Sequence, residues 1–141
     1  MTRDEVAALY VRRQEAHARR AADEAAGFHA EDGVVESPLA GGIVTGRAAI
    51  EKTYQAFFTA FPDLQTETDD LLIDGDHAAW FFTHLGTERG EFMGLPPTGK
   101  AFRARVVFLS ELRDGVIVRE RRIYDFTGVL VQIGLLKIKP V

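Results

Sequence analysis

The 141-residue sequence has no cysteine, which excludes disulfide cross-links, thiolate zinc sites and a cysteine nucleophile together. No run approaches the roughly 18 apolar residues of a membrane span. Met1-Thr2-Arg3-Asp4-Glu5 is charged where a signal peptide would turn apolar. These absences predict a cytoplasmic protein with no membrane partner. A basic excess is also missing. The formal net charge is -4, although arginines gather at Arg12, Arg13, Arg19 and Arg20 and again at Arg119, Arg121 and Arg122. Nucleic acid is therefore not an expected partner, and the first arginine group reads as a solvated helix face. Long polar tracts, low-complexity linkers and internal repeats are lacking, so the length predicts one domain over residues 1–141 with a real core. His17, His29, His77 and His84 show no H-E-x-x-H spacing, and no metal site is expected.

What is present is a change of period along the chain. Thr2 and Glu5 have capping-box spacing, and Val6, Leu9, Tyr10 and Arg13 follow at helical intervals. An alanine-rich continuation predicts one long helix to about Gly27. Val34-Val35 predicts only a brief strand ending at Glu36-Ser37-Pro38, and Gly41-Gly42 a loosened chain. Ala49, Ile50, Tyr54, Phe57, Phe58 and Phe61 predict a second helix from Gly46, stopped by Pro62. Strand periods then take over at Leu64 to Ile73, Ala78 to Thr87, about Ala101 to Leu112, and Val116 to Tyr124. Asp-Gly pairs at Asp74-Gly75 and Asp114-Gly115 mark hairpins, and the turn-rich run from Gly86 to Lys100 joins the two middle strands as neighbours. Helices first and an antiparallel meander afterwards predict an α+β fold, a curved antiparallel sheet wrapped around N-terminal helices.

Such a sheet leaves a conical cavity lined by alternate side chains of each strand. Alternation groups Trp80, Phe82, His84, Gly86 and Glu88 on one face. On the next strand it places Ala104, Val106, Phe108 and Ser110 inside, with Arg103 and Arg105 outside. Glu120, Arg122 and Tyr124 form the better pocket set of the last strand, with Arg119, Arg121 and Ile123 outward. Ser37, Tyr54 and Phe92 complete the candidate lining. Tyr10, Tyr54 and Tyr124 are possible donors to a carbonyl.

Gly115, Asp125 and the tail Phe126-Thr127-Gly128-Val129-Leu130-Val131-Gln132-Ile133-Gly134, together with the Gly86 to Lys100 run, resemble the SnoaL-like polyketide cyclases of the nuclear transport factor 2-like superfamily. The resemblance covers most of the chain and implies a cone-shaped α+β barrel. In that family an aspartate acting as general acid/base follows the turn glycine by seven residues, and a second aspartate by ten; here these are Arg122 and Asp125. The family's strand histidine aligns with Phe108, and its second histidine with Glu88. Ala30-Glu31-Asp32-Gly33-Val34-Val35-Glu36-Ser37-Pro38 is similar to a segment of the related ketosteroid isomerases, with Ser37 in place of their aspartate base.

The resemblance implies cofactor-independent aldol cyclisation, isomerisation or dehydration of a small hydrophobic, carbonyl-rich substrate. Such chemistry needs a base for an acidified carbon and a donor for the enolate, and no cofactor. Glu88 is the expected base and Arg122 the expected enolate stabiliser, facing each other with the family's charges exchanged. Asp125 is a third catalytic candidate, though a hydrogen-bonding role in holding the tail suits it better. The alternative is a non-catalytic small-molecule-binding or accessory module. An epoxide hydrolase, using Arg103 or Arg105 with Asp125, ranks third. Leu135 to Val141, apolar apart from Lys137 and Lys139, would expose an apolar strip in a lone domain, and a homodimer is expected to cover it.

Overall fold

The computed structural model describes residues 1–39 and 41–139. The first helix, α1 (Arg3–Ala18), starts at the expected cap: the Thr2 hydroxyl accepts from the Glu5 amide at 3.1 Å. It ends earlier than its alanine-rich sequence suggests. Arg20 takes a left-handed φ of 54°, and the Ala21 amide closes back on the Ala16 carbonyl at 3.0 Å. The chain then turns into a separate short helix, α2 (Ala22–Gly27). An Arg20 guanidinium bond to the Leu64 carbonyl at 3.0 Å holds the break, so a long-range contact overrides local propensity.

The next strand, β1 (His29–Ser37), is much longer than the brief one expected, and a second, β2 (Gly42–Thr45), lies where only loose chain was read. The second long helix, α3 (Arg47–Ala60), ends before Pro62 as anticipated. Four strands follow: β3 (Gln65–Asp74), β4 (His77–Thr87), β5 (Ala101–Arg113) and β6 (Val116–Ile123). A last helix, α4 (Phe126–Gln132), follows β6. The β5–β6 hairpin turns through Asp114 (φ 51°) and Gly115 (φ 83°), the two positive angles of a type I′ turn.

All six strands form one sheet in the order β2-β1-β6-β5-β4-β3. The meander is antiparallel as expected, and β4 and β5 are neighbours along their full length. One pair departs from the expectation: β1 runs parallel to β6, with a register slip between His29 and Val34. Because β1 is ordered by hydrogen bonds to a strand far away in sequence, its own residues carry little strand signal.

Helices α1 and α3 cover the inner face. The α1 stripe Val6, Leu9, Tyr10, Arg13, Ala16 and His17 is buried, against Trp80, Phe82, Val106 and Phe108 of the sheet. Fully burying such large apolar side chains contributes about 2 kcal/mol each. A second cluster joins Ile50, Phe58 and Phe61 of α3 and its end to Phe92, Phe102 and Val129. The alternation read for β4, β5 and β6 holds: Trp80, Phe82, Val106, Phe108 and Glu120 are buried, and Arg103, Arg105, Arg119 and Arg121 are exposed. No helix among the described residues is long and apolar enough to cross a membrane.

Between β4 and β5 the chain packs on the end of α3, where the Arg89 and Gly90 amides both donate to the Ala60 carbonyl at 3.0 and 3.2 Å. A Cβ on Gly90 would collide with the Thr59 carbonyl oxygen, which belongs to rigid helix backbone. Gly90→Ala is expected to lower stability by about 3 kcal/mol in urea unfolding, because neither backbone can yield.

Candidate active site

The inner face carries a buried polar network that begins on α1. Arg13 is fully buried, not solvated as its neighbourhood of arginines suggests, because it lies in the apolar stripe one turn beyond Leu9 and Tyr10. Its Nη1 donates to Glu120 Oε2 at 2.9 Å and its Nη2 to Glu120 Oε1 at 3.3 Å, a two-pronged pairing from helix to sheet. Glu120 also accepts from the Ser110 hydroxyl at 2.8 Å and from Arg122 Nε at 2.9 Å. Nη2 groups of both arginines, at 3.3 Å for Arg13 and 2.7 Å for Arg122, donate to the Tyr54 hydroxyl of α3. His29 Nε2 stands 3.4 Å from the same hydroxyl.

Charge in this network does not balance. Arg13 and Arg122 share Glu120, and among the described residues no other carboxylate pairs with either. Burial alone would raise the Glu120 pKa, but Arg13 and then Arg122 outweigh it and hold the carboxyl well below the usual carboxylate range. The histidines are neutral for the opposite reason. Burial, aided by Arg122, lowers His84 to about 3. Burial lowers His29 to about 3 with Glu120 opposing. His17 is pushed well below its ordinary value by burial, Arg13 and His84. The network therefore carries one net positive charge away from water.

That charge faces a narrow cavity of about 50 Å³. Arg122 lies in its wall with its guanidinium centre 4.6 Å from both the Tyr54 and Phe108 ring centroids, within cation–π range of each. Phe108 is the direct cross-strand partner of Arg122. His17 and His84 add imidazole edges, and Ser37 and Tyr124 further hydroxyls. Burial raises the Tyr124 phenol to about 12, with Ser37 opposing. Leu39, Phe57, Phe58, Val106 and Val129 supply much of the apolar wall. Among the described residues no three His, Asp or Glu side chains converge as metal ligands.

Of the residues expected from sequence, Ser37, Tyr54, His84, Val106, Phe108, Arg122 and Tyr124 meet in this wall. Four do not. Trp80 is core, with its indole N–H on the Thr68 hydroxyl at 2.9 Å. Phe92 packs on Phe57 and Phe61 outside the lining. Asp125 caps α4 by accepting from the Gly128 amide at 2.9 Å. Glu88 points inward and is fully buried, but its Oε1 accepts from the Thr98 amide at 2.7 Å and braces the loop before β5. The expected Glu88–Arg122 apposition is thus replaced by Glu120–Arg122. Glu88 lies one residue beyond β4, where the loop supplies a backbone donor. Sequence reasoning missed Arg13, His17 and His29, and assigned Glu120 to the inner face without giving it a role.

The chain belongs to the SnoaL-like polyketide cyclase family, whose model matches residues 7–133. Solved structures share the fold. AclR of Streptomyces galilaeus, for which hydroxylase activity has been suggested, is 28% identical, with a TM-score of 0.84 over 99% of this chain and 91% of its own. IdmH of Streptomyces antibioticus, suggested to be a polyketide cyclase, is also 28% identical, with a TM-score of 0.75 over 91% of this chain and 97% of its own. A Jannaschia protein suggested as a SnoaL-like cyclase superposes at 0.82 over 95% and 94% with 19% identity, a likeness of fold alone. A search of curated proteins finds no match.

Two outcomes are expected of this network. Glu120→Gln strands Arg13 without its counter-charge in the core and is expected to lower stability by about 3 to 5 kcal/mol in chemical denaturation. Stability measured by urea unfolding at a series of pH values is expected to begin falling near pH 6.5. The folded histidines bind protons only near pH 3 whereas unfolded ones do so near 6.5, so stability falls as pH drops through that window and levels off above it. Glu120 adds to the loss below its ordinary value of 4.5.

Proposed function

We propose that this protein is a cofactor-independent enzyme of the cyclase type, a single domain that transfers protons on a small hydrophobic, carbonyl-rich molecule in the cavity. The uncompensated positive charge of the Arg13–Glu120–Arg122 network, presented to the cavity by Arg122, is the observation that carries this reading. Hydrogen bonds to Glu120 and Tyr54 occupy two of the five guanidinium N–H donors of Arg122, which leaves donors for a substrate oxygen. An enolate forming there gains an interaction that the neutral ketone lacks, which is the condition for lowering a barrier.

In this reading a substrate carbonyl oxygen accepts from Arg122, and His84 takes the proton from the neighbouring carbon. The C–H electron pair becomes the enolate, which attacks a second carbonyl carbon in aldol closure or is reprotonated at a different carbon in isomerisation. His84 returns the proton to the new alkoxide or carbon. Burial and Arg122 hold the His84 imidazole neutral beforehand, so its lone pair is free. The anion developing beside it then favours the imidazolium and raises its basicity as the proton moves. Ser37 and Tyr124 can bind further oxygens. The cavity is narrow, and a multi-ring substrate requires the half-buried Leu39 and Phe57 to move aside.

The same proposal extends to a homodimer. The outer sheet face exposes Leu72 and Ile123 among Arg103, Arg105, Arg119 and Arg121, and the C-terminal stretch exposes Leu136 and Ile138. Of that stretch, Pro140 and Val141 lie outside the described residues.

Deuterium exchange of an aromatic β-keto ester in heavy water tests the chemistry by proton NMR. Wild type is expected to exchange the acidic carbon-bound proton above the buffer rate. Arg122→Ala and His84→Gln should each lose about 100-fold, and Glu88→Gln should stay close to wild type. Ligand line broadening by wild type without any rate enhancement would instead favour the binding-module reading.

A further inference from the structure

His17 is the one cavity imidazole whose proton position the fold dictates. Its Nδ1 stands 2.9 Å from the Arg13 carbonyl oxygen, one helical turn back, and a carbonyl can only accept. Nδ1 therefore carries the proton and Nε2 the lone pair. The ring cannot readily turn to exchange them. It is 1% exposed, and the Tyr54 and Trp80 rings meet it edge-on at centroid distances of 5.3 and 5.1 Å, with Phe58 and Phe108 at 6.1 and 6.2 Å. Nε2 is buried with no hydrogen-bond partner among the described residues, and His17 lines the cavity. His84 Nε2, likewise buried and unpartnered, belongs to a ring 6.5 Å away by centroid.

An acceptor fixed in this way, in a cavity wall shared with the donors of Arg122, defines a two-point pattern. We infer that His17 Nε2 accepts a hydrogen bond from a ligand hydroxyl, so that the cavity selects molecules carrying a phenolic or enolic hydroxyl as well as the carbonyl bound by Arg122. His17 is then a specificity-determining residue. A ligand without the hydroxyl leaves a buried lone pair unmet, and a methyl ether in its place cannot donate. The inference rests on the reading of this cavity as the substrate site.

Three probes of similar size separate the possibilities: 3-hydroxyacetophenone, 3-methoxyacetophenone and acetophenone. Calorimetric titration of wild type is expected to favour the hydroxy ketone about tenfold over the other two, the worth of one buried hydrogen bond. His17→Phe should bind all three alike. Should that variant fold poorly, histidine-labelled wild type reports directly by nitrogen-15 NMR: the His17 Nε2 resonance should move with the hydroxy ketone and stay in place with the methoxy ketone. Equal affinities with an unmoved resonance would mean that water serves Nε2, and would overturn the inference while leaving the exchange reaction intact. Failure of all three probes to bind would overturn it as well. A hydroxyl preference that depends on His17, without proton exchange by wild type, would retain the inference and remove the enzymatic reading.

Discussion

The pairing of Arg13 with Glu120 is the constraint on which the arrangement depends. A buried ion pair is a weak source of net stability, because desolvation of both charges offsets much of their attraction. What it supplies here is geometry. Arg13 lies in the middle of α1 and Glu120 in the middle of β6, and their two-pronged contact sets where the helix rests across the sheet. Each alternative placement of α1 would leave at least one charge buried and alone. The apolar stripe around Arg13 contributes the attraction, and the ion pair selects among the positions the stripe would allow.

The proposed function rests on the third member. Arg122 shares Glu120 with Arg13, leaving one positive charge in excess on the cavity wall. Phe108, directly across the strand pair, lies against the guanidinium, and the Tyr54 ring is equally close. By the resemblance read from the sequence, Phe108 and Arg122 correspond to the family's histidine and aspartate, and here they form one contacting pair. In the proposed function this contacting pair serves as an electrostatic anchor, and proton movement falls to the buried neutral histidines, above all His84.

Much of this was legible in the amino-acid order, in a pattern with physical causes. Strands β3 to β6 follow period two and are joined by Asp-Gly hairpins or a turn-rich loop, so their limits, neighbours and inner faces emerged from local rules. β1 and β2 did not, because Gly33 and Gly41-Gly42 look like breakers; the parallel partner that orders β1 lies some eighty residues onward. The division of α1 from α2 rests on a left-handed arginine in an otherwise helix-forming stretch. Arg13 was available: it falls on the apolar spacing with Val6, Leu9 and Tyr10, and only its residue type argued for solvent. For Glu88 the inward direction was correct and the partner was not, since alternation orders side chains along one strand without saying which loop meets them.

The central claim is that the cavity holds a net positive charge and so prefers an anion. Its most direct measurement is the ionisation of a bound 1,3-diketone such as benzoylacetone, followed by ultraviolet absorbance against pH with protein in excess. The account predicts that the enolate forms at lower pH when bound than when free, and that Arg122→Ala abolishes the difference. A bound diketone that ionises at the same pH as in water, or at a higher one, would contradict it.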